Sequence, residues 1–170
     1  VMSFMSWSPA MRPMAASWMS WASGHSAVMA GIFAKLPMLT THLVIFDTAV
    51  VDLTGRMDDP VETLMSVHLG GGTDIAKAMG YCKALITAPR RTIVVLVSDL
   101  CEGGSRQSLY RTCHDIVESG ARLIALTALN EHSVPDYDRA TAQTLADLGA
   151  HVGAMTPERL ADFMAGIMQK

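Results

Sequence analysis

The first acidic residue of this 170-residue chain is Asp47, and the stretch from Val1 to Gly24 carries one charge, Arg12. Charge is sparse throughout, at 17% of residues and a formal net of -3, and lysines and arginines never form a dense run. That shortage argues against a nucleic-acid footprint and against a basic membrane-surface patch. Cysteine is also scarce. Cys82, Cys101 and Cys113 are odd in number and have no zinc-like spacing, so they read as thiols of a reducing compartment, and the cytoplasm is the expected location. Long apolar runs are missing too: Pro9, Pro13 and recurrent serines interrupt the beginning, whereas a membrane helix needs about 20 predominantly apolar residues. A secretory signal would start basic and continue with an unbroken apolar core. His25, His42, His68, His132 and His151 include no pair at ligand spacing, and no G-x-S-x-G is present. Cys113 and His114 are adjacent on an expected helix, so their side chains diverge instead of forming a nucleophile and base. Zinc and hydrolase chemistry therefore lack support.

What the chain does have is alternation. The run Ala27 to Leu36 suits a buried helix ended by Pro37, and THLVIFD reads as a strand ending at Asp47. A short edge strand follows at Val50 to Leu53, then a short helix at Val61 to Val67 and a helix from Asp74 to about Ile86. RTIVVLVSD is a nearly continuous β-branched run of the kind found in a parallel strand covered on both faces, and it ends at Asp99. A helix from Arg106 to Glu118, stopped by Gly120, precedes the strand ARLIALTAL. A polar loop over Asn130 to Asp138, a helix from Tyr137 to Leu148, the short strand HVGAM and a last helix starting at Thr156 and Pro157 complete the pattern. Strands alternating with helices predict one α/β domain, a doubly wound, Rossmann-like sandwich with a mostly parallel sheet and helices on both faces.

Ligands of such sheets gather at the carboxyl ends of the strands, where Asp47, Asp99 and the loop LGGGTD (Leu69 to Asp74) should meet. Glycines at a helix N-terminus suit a phosphate, but no G-x-x-x-x-G-K-[ST] or G-x-G-x-x-G is present and Lys77 lies one turn inside the helix. A hard cation suits the residues better, with the Thr73 hydroxyl, the Asp99 carboxylate and water as oxygen ligands. Simpler roles stand beside these. Thr73 or Asp74 can cap the helix that follows, and Asp99 can bond loop amides.

In order and spacing, FDTAVVDLT, LGGGTDI and VSDLCEGGS resemble the von Willebrand factor A (VWA) domain, and within it the bacterial CoxE-like group. The resemblance runs from about Ser26 to the C-terminus, which divides the chain into an atypical stretch, 1–24, and a VWA-like domain, 25–170. It implies a six-strand sheet in the order 3-2-1-4-5-6 with a metal-ion-dependent adhesion site on its upper edge. That site comprises an Asp-x-Ser-x-Ser loop after the first strand, a threonine in a second loop and an aspartate in a third. Thr73 matches the second piece and Asp99 the third, with Gly70, Gly71, Gly72 and Asp74 forming the binding loop around Thr73. The resemblance implies Mg2+ or Mn2+, a protein partner whose acidic group completes the coordination, work beside a MoxR-type AAA+ ATPase, and no enzymatic activity.

The first piece departs from the family. Aligned on SWSPAM, Ser6 stands in place of the aspartate, Ser8 matches the first serine, and Ala10 replaces the second; aligned on MAASWM, Met14, Ala16 and Trp18 replace all three. Neither supplies a carboxylate. A tenfold loss of affinity corresponds to about 1.4 kcal/mol, and losing both a charge and a direct ligand exceeds that, so binding is expected to be weak or absent. The stretch 1–24 holds Trp7, Trp18, Trp21 and five methionines, and two origins fit it. It is either a genuine first strand near Val1 to Met5 or a product of a shifted reading frame upstream of about Gly24. The competing function is a small phosphate- or nucleotide-binding α/β enzyme using Gly70 to Thr73, and a third is a metal-free binding module.

Overall fold

The computed structural model describes residues 2–6, 41–54, 72–127 and 137–153. Six strands form one sheet: β1 (Met2–Ser6), β2 (Thr41–Phe46), β3 (Val50–Asp52), β4 (Ile93–Val97), β5 (Arg122–Leu126) and β6 (His151–Gly153). Their order is β3-β2-β1-β4-β5-β6, with β3 antiparallel at one edge and every other pairing parallel. The first strand, MSFMS, therefore lies in the middle, paired with β2 on one side and β4 on the other. The expected helices over 27–36, over 61–67 and from Thr156 onward lie outside the described residues.

The sheet is buried on both faces. Val44 and Phe46, Val94 and Leu96, and Leu123 and Ala125 point to one face and pack against α1 (Ile75–Leu85), α2 (Arg106–Glu118) and α3 (Arg139–Asp147). Their strand neighbours Leu43, Ile45, Val95 and Ile124 point the other way and are no more than 1% exposed. Continuous apolar runs rather than alternation are what a doubly covered parallel strand requires. Each large side chain buried in this way stabilises the fold by about 1.5–3 kcal/mol relative to exposure.

The helices begin and end where their local chemistry directs. In α1 the buried residues Ile75, Ala78, Met79 and Cys82 follow helical spacing, Asp74 caps the first turn by accepting from the Lys77 amide, and Ile86 turns extended. Ser105 caps α2 through the Ser108 amide, and Gly120, at φ 93°, donates to the Val117 carbonyl beyond its end. Asp138 caps α3 through the amides of Ala140 and Thr141, and Gly149, also at φ 93°, closes it. The helix expected from Tyr137 thus begins two residues later, at Arg139, with Asp138 as its cap. A short 3₁₀ turn at Pro89–Arg91 leads into β4.

Candidate functional site

The strand order reverses direction at β1, so the crevice beyond its carboxyl end is where an open α/β sheet binds ligands. Ser6 ends β1 there. It pairs with Ile45, and Met5 before it pairs with Leu96, which sets Ser6 on the rim between the chain leaving β2 and the chain leaving β4. Ser8 and the alternative first-loop segment from Met14 to Met19 lie outside the described residues, as do Gly70 and Gly71.

Asp47 follows β2 and is only 8% exposed. Its Oδ1 accepts from the Ala49 amide at 2.6 Å, and its backbone carbonyl accepts from the Asp74 amide at 2.9 Å. Lys77 reaches back to the Thr48 carbonyl at 2.8 Å. The turn after β2 is therefore tied to the start of α1, the helix that Thr73 precedes.

Asp99, 6% exposed, follows β4. One carboxylate oxygen accepts from the Cys101 amide at 3.0 Å, and the Ser98 hydroxyl accepts from the Leu100 amide at 3.0 Å. Between them Leu100 is buried at φ 60°, a left-handed conformation that costs an L-residue roughly 1–2 kcal/mol. The side chains of the two preceding residues, Ser98 and Asp99, accept from the amides of Leu100 and Cys101 and hold this tight turn in place. Beyond it, Gly103 donates to the Thr73 carbonyl at 2.8 Å, and a Cβ on Gly103 would lie 2.6 Å from that same oxygen. Only a glycine lets the two backbones approach so closely. The loops bearing Thr73 and Asp99 thus meet on one rim. Asp138 joins them: its amide donates to the Asp99 carbonyl at 2.9 Å and its carboxylate pairs with Arg106 at 2.6 Å.

The first amides of α1 are already engaged. Lys77 donates to Asp74 Oδ1 at 2.8 Å, and Ala76 donates at 3.0 Å to Oε2 of Glu102, from the loop after β4. The same carboxylate faces the Ile75 amide. An incoming phosphate would have to displace two carboxylates to reach this helix end, which weighs against the phosphate site considered from the glycine loop. Asp74 acts as a cap, one of the two simpler roles considered for that pair of residues, and Asp99 does bond a loop amide.

Electrostatics set limits on other chemistry. Burial, then the neighbouring Asp99 charge, pushes the Cys101 thiol up to about 11, and burial pushes Cys82 and Cys113 up to about 12. None of these thiols is poised as a nucleophile at neutral pH. Among the described residues no group of three or more His, Cys, Asp and Glu side chains could hold a metal ion. The available ligand types at the rim, hydroxyl and carboxylate oxygen, suit a hard cation in kind but are few in number. No described helix is long and apolar enough to cross a membrane.

Sequence reasoning missed Glu102 and Gly103 as parts of this rim. The pair of glycines in CEGGS was the available signal for a close backbone approach, but nothing local identifies the strand of backbone they approach.

Comparison with known proteins bears on this arrangement. The family described as "VWA domain containing CoxE-like protein" matches residues 15–164. The uncharacterized protein YehP of Escherichia coli (strain K12) is 50% identical over 145 residues, which is 85% of this chain and 38% of YehP. The chain therefore spans well under half the length of that relative. Among solved structures, a von Willebrand factor type A protein from Catenulispora acidiphila superposes with a TM-score of 0.69 at 15% identity, covering 98% of this chain and 41% of that one. The conserved hypothetical protein BatB from Bacteroides thetaiotaomicron gives 0.67 at 10% identity, covering 100% of both chains. Manganese-loaded TRAP protein of Plasmodium vivax gives 0.62 at 10% identity, covering 94% of this chain and 69% of that one. At such low identities these structures establish a shared fold alone.

Proposed function

This chain belongs to the family of VWA domain containing CoxE-like proteins, and from that premise we propose that it is a protein-binding module whose docking edge is the rim around Ser6, Asp47, Thr73 and Asp99. In this reading residues 25–170 carry the domain's recognisable motifs, and the stretch 1–24 supplies the central strand. Thr73 and Asp99 would hold Mg2+ or Mn2+, with Ser6 and Ser8 as further oxygen donors and the glycine loop Gly70 to Gly72, with Asp74, shaping the approach. A bound cation would supply positive charge to which an acidic group of the partner can coordinate. With a single carboxylate among the proposed ligands, the cation binds weakly on its own and more firmly once the partner contributes its acid. The partner proposed is a MoxR-type AAA+ ATPase, and the module itself is non-catalytic.

The observation that supports this reading is the bond from the Gly103 amide to the Thr73 carbonyl at 2.8 Å, which brings the two proposed ligand loops together. A protein of the same fold, Plasmodium vivax TRAP, is known in a manganese-loaded form. Calorimetric titration tests the proposal. Weak Mg2+ or Mn2+ uptake that disappears in Asp99→Ala is the expected result. Phosphate or nucleotide binding without metal would replace it with the enzyme reading, and silence in both titrations would leave a metal-free binding module.

A further inference from the structure

Glu102 belongs to no expected ligand set, yet its carboxylate joins two parts of the rim. Oε2 accepts from the Ala76 amide of α1 at 3.0 Å, and Oε1 accepts from the Gly104 amide of its own loop at 2.6 Å. The Ile75 amide faces the same group. The tie to Ala76 spans 26 positions of sequence, so it is a tertiary bond rather than a local cap. The residue that follows, Gly103, donates to the Thr73 carbonyl.

A helix N-terminus leaves its first amides unsatisfied and carries a partial positive charge, and an acid there is stabilising. In α1 the helix's own cap, Asp74, takes only the Lys77 amide within the first turn. Glu102 takes the amides that Asp74 leaves, although doing so half-buries its carboxylate and brings it near the like charge of Asp74, both of which oppose ionisation. The Glu102 charge also reaches the buried Cys113 thiol, where it adds to the effect of burial in raising that pKa. A Cβ on Gly104 would lie 2.8 Å from Glu102 Oε1 and 3.4 Å from the Asp74 carboxyl, so the neighbouring glycine keeps open the space this carboxylate fills. Charge alone does not account for a carboxylate placed against these costs. The geometry that it closes, the loop after β4 pressed on the start of α1, does.

We propose that Glu102 is the positioning residue of the rim: as the resident anion of the α1 N-terminus it docks the Asp99 loop against the Thr73 loop and holds their separation. The docking itself is independent of whether a cation binds; the consequence for metal affinity rests on the reading given under Proposed function.

Amide hydrogen exchange followed by NMR on the same chain tests it, with Glu102→Ala, Glu102→Gln and, as a charge control far from the rim, Asp115→Asn. Loss of the carboxylate lowers protection of the Ala76 and Gly103 amides by at least about tenfold in Glu102→Ala, the lower end for one hydrogen bond to a charged group. Glu102→Gln keeps one acceptor oxygen and retains part of that protection, and Asp115→Asn retains all of it. Amides of β5 keep parent protection in every variant, which separates a loop effect from general loosening. A Gly103 amide equally protected in parent and Glu102→Ala overturns the proposal, because the loops would then dock without Glu102. Should Glu102→Ala not fold, the same comparison is made with Glu102→Gln. Mn2+ titration of the parent and Glu102→Gln distinguishes the two readings. A parent that takes up no Mn2+ removes the cation reading while the exchange data still judge Glu102, and uptake equal in parent and variant overturns its positioning role.

Discussion

Substituting Gly103 by alanine should be among the most damaging single-methyl changes in the described part of the chain. The added Cβ would sit 2.6 Å from the Thr73 carbonyl oxygen, 3.3 Å from the Thr73 nitrogen and 3.5 Å from its carbonyl carbon. All three are backbone atoms, so no side chain can swing aside, and the two loops must separate. Forced overpacking of this kind costs about 1–3 kcal/mol, and loss of the Gly103 to Thr73 hydrogen bond adds about 0.5–1.5 kcal/mol. A destabilisation of about 1.5–4.5 kcal/mol follows. Gly80 provides the contrast within the same protein: it lies inside α1, and a Cβ built on it meets nothing within 4 Å. Gly80→Ala should stabilise by about 0.5–1 kcal/mol, because alanine loses less backbone freedom in a helix. Urea unfolding of the two variants, read through midpoint and slope, gives both values on one scale. Equal stabilities for Gly103→Ala and the parent would refute the close approach on which the rim is built.

Further outcomes follow from the same geometry. Asp138→Ala should cost about 1 kcal/mol by removing the cap of α3, measured by the same unfolding series. Burial acts to raise the Asp138 pKa, but the amides of Thr141 and Ala140 and the Arg106 charge outweigh it and hold the carboxyl below its usual 3.8. A carboxyl lowered on folding contributes stability that is fully present above that value and lost as pH falls through the folded one; a pH series that shows the parent and Asp138→Ala differing more at pH 2 than at pH 6 would contradict this. With their pKa values raised to about 12, about 11 and about 12, Cys82, Cys101 and Cys113 should alkylate far more slowly at pH 8 in the folded chain than in urea. Cys101 reacting at the unfolded rate would contradict the burial and the Asp99 proximity that raise its pKa. If the stretch 1–24 arises from a shifted frame, the DNA upstream of codon 24 will encode Asp-x-Ser-x-Ser in another frame, and its absence from every frame removes that idea.

Within the described residues the alternation of elements was legible from the chain alone because each signal is local. The β-branched run at Ile93–Val97, the helical spacing of Ile75, Met79 and Cys82, and the glycines at 120 and 149 act through neighbours a few residues away. The first strand was harder, since MSFMS has modest β propensity, and its place in the sheet comes from pairing with β2 and β4 on both sides. Family likeness to the VWA pattern supplied the sheet order and pointed to Thr73 and Asp99, whereas periodicity could supply neither.

Composition and local pattern by themselves determined which of the described segments are strands and helices, where those helices stop, and that the sequence holds no dense run of lysine and arginine. Only the folded arrangement decided that Glu102 would accept from an amide 26 positions earlier and that Gly103 would lie against Thr73. The reason is one of range: a cap or a turn is governed by bonds within a few residues, while the meeting of two loops depends on the order in which a sheet is assembled. That order brings together segments whose sequences contain no sign of one another.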